Sequence, residues 1–249
     1  YVNRTLTVDK AITANEATAV LYNPITGSMA FVPATFSTIN GTTEVTIKRN
    51  GNSIYTIVQF NKKFADLGGH WAKSDIEQMA SKLIVKGYTE TTFKPNENIT
   101  RAQFASILIQ SLGLAANKGG AAFSDVNTKD WYSGFIGAAS AAGLTSGFSD
   151  GTFKPNDLIS REQMAVMISK AIKFSGKQTI PSGTQDKLLL RFSDKDAISS
   201  WAKSAAAQCI DAGIISGLGD KSFAPSAKAT RAQAVVMVKH MLEYVGFMD

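Results

Sequence analysis

One pattern of residues occurs three times in this chain, and a repeat of that length restricts the fold more than any other feature. Phe64-Ala-Asp66, Phe123-Ser-Asp125 and Phe192-Ser-Asp194 each open a unit. Trp71, Trp131 and Trp201 follow, separated by 60 and then 70 residues. Phe93-Lys-Pro95, Phe153-Lys-Pro155 and Phe223-Ala-Pro225 keep the same intervals, as do Thr100-Arg101, Ser160-Arg161 and Thr230-Arg231. The ten extra residues before the third unit fall mainly in a linker at 175–191, rich in Gly, Ser, Thr and Gln.

Each unit reads as helix, loop, helix. The first helix starts near the Trp, and its apolar face carries Ile76, Met79 and Ile84, then Ile136, Ala139 and Leu144, then Ala206, Cys209 and Ile214. The second starts near the Arg. Its stripe is Phe104, Ile107, Leu108 and Leu112, matched by Met164, Met167, Ile168 and Ile172, and by Ala234, Met237, Val238 and Leu242. Gly87, Gly147 and Gly217 each stand six residues before the Phe-x-Pro, where a turn needing positive φ would use them. A two-helix unit cannot bury its own stripe, so three packed around a shared axis are expected, in a pseudo-threefold arrangement.

Residues 1–62 have a different period. Runs at 4–8, 17–22 and 29–32 are short and rich in β-branched and aromatic residues, with Asn23-Pro24 and Thr26-Gly27 as a turn. Asn40-Gly41 precedes the run 43–49, and Asn50-Gly51 separates it from 53–60. Asn-Gly between β-rich runs signals a hairpin. The segment therefore reads as four or five antiparallel strands, sandwich-like or the end of a larger β domain, with its boundary at 61–64. The expected fold class is multidomain: a small antiparallel β module at 1–62, then an all-α domain with repeats at 63–122, 123–191 (linker included) and 192–249.

The repeated polar residues have competing explanations. Thr100 with Gln103, Ser160 with Gln163 and Thr230 with Gln233 fit the capping box, which accounts for them structurally. Arg101, Arg161 and Arg231 sit in a first helical turn, where a cation opposes the macrodipole. They serve either as salt-bridge partners of the opening Asp or as anion sites, with guanidinium and free N–H groups converging on a carboxylate or phosphate. Trp71, Trp131 and Trp201 read first as core anchors and second as platforms for a sugar ring. Asp66, Asp125 and Asp194 suit an Asx turn or helix cap, and more sharply an acceptor for a sugar hydroxyl.

Other chemistry finds little support. The single Cys209 lies on an apolar face and reads as a buried, inert thiol; one cysteine allows no internal disulfide. His70 and His240 pair by spacing with no nucleophile, and no phosphate loop or metal-ligand pair occurs. No cofactor or metal is expected. No apolar run reaches the length of a membrane span. The net charge of +6 favours an anionic partner, but no basic stripe or reading motif for nucleic acid is present. The chain starts at Tyr1 without a leader, which reads as a piece of something longer.

Taken in order, Phe-x-Asp, Trp, an Ala/Gly-rich helix end, Gly-x-x-Asp-Gly-x-Phe-x-Pro and Thr-Arg-Ala-Gln resemble the S-layer homology repeat. The second unit carries the resemblance furthest, in Phe123-Ser-Asp125, Trp131, Ala142-Gly-Leu144, Gly147-Phe-Ser-Asp-Gly-Thr-Phe-Lys-Pro155 and Ser160-Arg-Glu-Gln163. The resemblance covers about 64–247. It implies a three-pronged pseudo-trimer that anchors a secreted protein to the bacterial cell wall or S-layer. The implied ligand is an anionic secondary cell wall polysaccharide whose terminal sugar, a pyruvylated ManNAc, bears a ketal carboxylate. Carried over residue by residue, the implied ligand-binding set is Arg101, Arg161 and Arg231, the three opening Asp, the three Trp, and Gly87, Gly147 and Gly217. Grooves are expected between adjacent repeats.

The repeats are not identical. The first has Lys82-Leu83 where the others have Ala142-Gly143 and Ala212-Gly213, and Thr91-Thr92 rather than an Asp-Gly before Phe93. The third has Lys221 and Ala224 for the Gly and Lys of the second. Two other readings compete with a non-catalytic wall-binding module: self-assembly with other surface-protein copies into a lattice, and, ranked last, a fragment of an enzyme acting on wall glycan.

Overall fold

The structure, a computed structural model, describes residues 1–51, 53–117, 123–181 and 183–249. The expected end of the first repeat, at 122, lies outside the described residues. The chain forms two compact units. One comprises Tyr1–Pro95, Gln110–Leu114 and Leu242–Asp249, the other Asn96–Ile109 and Ala115–Met241.

The first unit opens with six strands: β1 Asn3–Val8, β2 Ala17–Tyr22, β3 Met29–Phe31, β4 Ala34–Ile39, β5 Thr42–Lys48 and β6 Tyr55–Gln59. They form two three-stranded antiparallel sheets, ordered β1-β5-β4 and β3-β2-β6. Alternation places Thr43, Val45 and Ile47 of β5 on the buried face. Val45 and Ile47 share a core with Ala19, Val32 and Ala34, closed by Leu6, Phe36 and Ile57.

Asn40-Gly41 does make the β4–β5 hairpin. Both residues have positive φ, 51° and 84°, as a type I′ turn requires, and Ile39 pairs with Thr42. Asn50-Gly51 does not make a hairpin. Asn50 is absent from the positive-φ residues, and the chain leaves one sheet for the other, so that β6 pairs with β2. The strand Ala34–Ile39 follows Pro33 and was not among the expected runs.

The chain's end belongs to this unit. Phe36 N donates to the Asp249 carboxylate at 2.9 Å, and Ala34 N to Phe247 O at 3.1 Å. Phe247 and Met248 are buried, and the Tyr1 ring meets Phe247 edge-on. α1 (Lys73–Ser81) completes the unit. In the first repeat Lys82 is buried where the others have Ala, and its Nζ donates to Ala14 O and Ala17 O at 2.8 and 2.9 Å. Leu83 takes φ 61° where Gly143 and Gly213 each take 70°.

The second unit holds α2 (Arg101–Ser111, to residue 109), α3 (Ser133–Ala141), α4 (Arg161–Phe174), α5 (Gln185–Leu189), α6 (Ser200–Asp211) and α7 (Arg231–Tyr244, to residue 241). α5 interrupts the expected linker and buries Leu189. The expected stripes are buried, with only Ile107 partly exposed. All three capping boxes are closed in both directions. The residues just before the second helices join one another. Ile99 N donates to Ala229 O, Ala229 N to Ile159 O, and Ile159 N to Ile99 O, each at 3.0 Å. This closed ring of main-chain bonds gathers the starts of α2, α4 and α7 at one place. Each partner is fully buried, so the ring satisfies groups that would otherwise be costly orphans.

Candidate functional site

Gathering the helix starts uses up their orphan N–H groups. Arg101 N donates to Asp157 O and Ala102 N to Pro155 O, while Gln103 N is held by Thr100 Oγ1. Arg161 N and Glu162 N donate to Ala227 O and Pro225 O, and Arg231 N to Glu97 O. An anion site built from free helix-start N–H groups, one of the two expectations for the Arg, is therefore corrected: the loop carbonyls of another repeat already occupy them.

The Arg side chains reach the same loops. Arg101 Nε donates to Phe153 O at 2.8 Å, and Arg161 Nε to Phe223 O at 2.8 Å. Both arginines are 5% exposed. The Arg101 guanidinium carbon lies 4.6 Å from the Phe148 ring centroid and 4.7 Å from that of Phe153; that of Arg161 lies 5.7 Å from Phe223. Burial lowers the pKa of both, against the fields of Asp157 and Asp125 on Arg101 and of Asp194 on Arg161. Among the described residues neither forms an ion pair with a carboxylate, so for Arg101 and Arg161 the expected salt bridge to the opening Asp is corrected. Arg231 is half-buried.

The opening Asp is occupied by main chain. Asp125 accepts from Phe153 N at 2.8 Å and Lys154 N at 2.7 Å, and Asp194 from Phe223 N and Ala224 N at the same distances. Asp66 accepts from Phe93 N and Lys94 N. The second residue of each pair is strained, with φ 58° at Lys94, 56° at Lys154 and 53° at Ala224. A left-handed conformation costs a non-glycine residue about 1–2 kcal/mol. Two charge-assisted bonds to the carboxylate hold it there. Phe153 is thus gripped twice, through its N–H by Asp125 of its own repeat and through its carbonyl by Arg101 of the preceding one.

The glycines pack under the Phe that opens each repeat. A Cβ on Gly147 would lie 2.4 Å from Phe123 Cε1, on Gly217 2.5 Å from Phe192 Cε1, and on Gly87 2.6 Å from Phe64 Cε1. Gly147 and Gly217 also have positive φ, but Gly87 does not, so close approach rather than turn geometry is the requirement common to all three.

The tryptophans overturn their first reading as core anchors. Trp71, Trp131 and Trp201 are 65%, 61% and 57% exposed, at equivalent repeat positions: just before α1, just before α3 and in the first turn of α6. Trp131 carries neighbouring rings edge-on, Tyr132 at 5.4 Å and Phe135 at 6.5 Å. A large aromatic left in water three times over contributes little to packing and offers its π face to a partner.

Two residues missed in the sequence complete the second repeat's site. Lys154 Nζ stands 4.5 Å from the Phe148 centroid, so Phe148 takes cations from Lys154 and from Arg101. In the sequence Lys154 is the middle of Phe-Lys-Pro, where nothing distinguishes it from a repeat marker. In the third repeat the corresponding residues are Leu218 and Ala224, so Arg161 meets the Phe223 ring at 5.7 Å but has no counterpart of Phe148 or Lys154. Glu162 accepts from Ser199 N and Oγ, and Cys209 is wholly buried, which pushes its thiol pKa up. Among the described residues no group of three or more His, Cys, Asp or Glu is placed to hold a metal ion. No helix among them is long and apolar enough to cross a membrane.

A family model described as "S-layer homology domain" matches residues 63–105, 122–165 and 191–235, just over half of the chain. An amylopullulanase of Thermoanaerobacterium thermosulfurigenes is 34% identical over 97% of this chain and 13% of its own length. A cellulosome-anchoring protein of Acetivibrio thermocellus is 34% identical over 64% of this chain and 35% of its own. The S-layer protein sap of Bacillus anthracis is 31% identical over 71% and 21%. The chain thus spans only a minor part of each of these relatives. Three matched repeats, each with its Arg, Asp and Trp, show that the chain belongs to the S-layer homology domain family, whose members anchor proteins to the cell surface.

Proposed function

We propose that this chain is the anchoring segment of a longer secreted protein and that it holds an anionic secondary cell wall polysaccharide. The ligand group is a carboxylate borne by a sugar, such as a pyruvate ketal, bound where the Arg of one repeat meets the Phe-x-Pro loop of the next. The observation that carries this reading is the pairing of Arg101 and Lys154 over Phe148, at 4.6 and 4.5 Å. Two cations beside one aromatic ring suit a carboxylate attached to a sugar, whose C–H face stacks on the ring. The exposed Trp131 offers a second platform on the same repeat.

The closed ring through Ile99, Ile159 and Ala229 supports a pseudo-threefold arrangement of the repeats. The sites are unequal: Phe148 and Lys154 stand at the Arg101 site, whereas Leu218 and Ala224 take their places at the Arg161 site. The opening carboxylates Asp125 and Asp194 are committed to main-chain N–H groups, which favours binding over catalysis.

The test is co-sedimentation with wall sacculi in three forms: native, stripped of secondary polymer, and with the ketal hydrolysed. Binding should be lost on both treatments. With native sacculi, Lys154→Ala and Trp131→Ala should each weaken it several-fold in a protein that unfolds at the same temperature as the parent. Binding that survives stripping would make peptidoglycan or a protein the partner and overturn the reading.

A further inference from the structure

The first unit contains a pocket of about 530 Å³ that none of the repeat motifs touches. Its wall on the β side is Asn15, Glu16 and the end of β6, Gln59 to Asn61; on the other side are Ser74, Glu77, Gln78 and Ser81 of α1. The volume is within the roughly 300–1,000 Å³ of small-molecule sites.

The lining is of two kinds. Part of it is fixed. Glu77, 6% exposed, is held by Lys63 Nζ at 3.0 Å and Phe64 N at 3.4 Å, and Gln78 Nε2 donates to Asn15 Oδ1 at 2.7 Å. The rest is uncommitted. The side chains of Glu16, Gln59, Asn61 and Ser74 have no hydrogen bond or ion pair among the described residues. Phe60 stands among them with 46% of its surface exposed.

We infer that this pocket binds a neutral saccharide. Carboxamides and a hydroxyl both donate and accept, which matches sugar hydroxyls, and an exposed phenyl ring offers a stacking face to pyranose C–H groups. The charge of the lining, Glu16 and Glu77 against Lys63, is net negative and opposes an anionic glycan. The site is therefore distinct in ligand from the arginine sites, and it joins the β module to the first repeat in one recognition surface.

The 249-residue chain is titrated calorimetrically with maltohexaose, cellohexaose, xylohexaose and chitohexaose, with an oligogalacturonate as the anionic control. At least one neutral oligosaccharide should bind. Phe60→Ala should weaken it about tenfold, the scale of losing one aromatic anchor. Asn61→Ala should weaken it in the same direction, and Lys154→Ala should leave it unchanged. Phe60 and Asn61 are exposed, so both variants are expected to fold, which circular dichroism checks. The inference is overturned if no neutral oligosaccharide binds at millimolar concentration, if binding ignores both pocket substitutions, or if only the oligogalacturonate binds.

Discussion

Arg101 and Phe153 belong to different repeats, yet the Nε–H of one is hydrogen-bonded to the carbonyl oxygen of the other at 2.8 Å. Arg161 and Phe223 repeat the relationship. The Arg of the Thr-Arg-Ala-Gln motif is therefore a joint between repeats as well as a candidate ligand group. Alanine at this position removes both functions at once, so lost wall binding by such a variant would not separate them.

Substitution by lysine keeps the positive charge but removes the planar donor. A hydrogen bond involving a charged group contributes about 1.5–3 kcal/mol. Arg101→Lys should lower stability by about that amount in urea unfolding. Trp131→Ala, at an exposed site, should change it by less than about 0.5 kcal/mol. Equal losses in the two variants would contradict the assignment of Arg101 as an inter-repeat joint.

Asp194 should be structural to a similar degree. Replacing it with Ala leaves Phe223 N and Ala224 N without their acceptor and releases the left-handed residue at 224. The expected loss is about 1–3 kcal/mol. The companion variant should move the other way: Ala224→Gly relieves the backbone strain and should stabilise the fold by about 0.5–1 kcal/mol. Thermal unfolding of the two variants gives the comparison, and a stabilising Asp194→Ala would show that the carboxylate does not hold the loop.

Much of this was legible in the residues. Helix starts, stripes and capping boxes follow from local chemistry that needs only four to fourteen consecutive positions, which is why Ser160 and Gln163 could be paired in advance. Partners across the chain were not legible. Asn50-Gly51 marks a change of direction, but which sheet receives β6 depends on the faces buried by Ala19 and Ile57. The exposure of the tryptophans is not legible either, because indole is usually buried and nothing in the residues at a helix start says which way it points. The demand for Gly87 comes from the Phe64 ring 23 residues earlier, invisible to a rule about φ. Phe148 and Lys154 gain meaning only when Arg101 arrives from another repeat.

Two glycines in one loop separate close approach from backbone conformation. Gly147 and Gly151 both have positive φ, 69° and 78°. A Cβ at 147 would meet Phe123 Cε1 at 2.4 Å and Thr152 O at 2.6 Å, whereas at 151 nothing lies within 4 Å. Gly151→Ala should cost about 1 kcal/mol, the conformational component alone. Gly147→Ala should cost about 1–3 kcal/mol more, as expected for overpacking against a ring and a carbonyl. Chemical denaturation measures both, and equal costs would mean that the Phe123 ring moves aside freely.

Burial lowers the pKa of Lys82 from 10.5 to about 8, with Asp249 acting in the opposite direction. Between pH 8 and 10.5 the unfolded chain therefore binds more protons at this residue than the folded one, and stability rises with pH across that window. The shift corresponds to about 3–4 kcal/mol at most, since each pKa unit is about 1.4 kcal/mol. Above pH 10 Tyr1 opposes the trend. Its burial raises the phenol pKa, so the unfolded state loses that proton first and stability falls as pH climbs. The first unit should accordingly be most stable slightly above pH 10, between the ordinary tyrosine value of 10 and the ordinary lysine value of 10.5, where the two opposing slopes cancel. Lys82→Met removes the titrating group and with it the rise from pH 8 to 10. The absolute stability of that variant is a poorer readout, because Ala14 O and Ala17 O lose the donor they share. Urea midpoints measured at half-unit pH steps for both proteins decide the matter: parallel curves would show that the Lys82 ammonium is not destabilised by its burial.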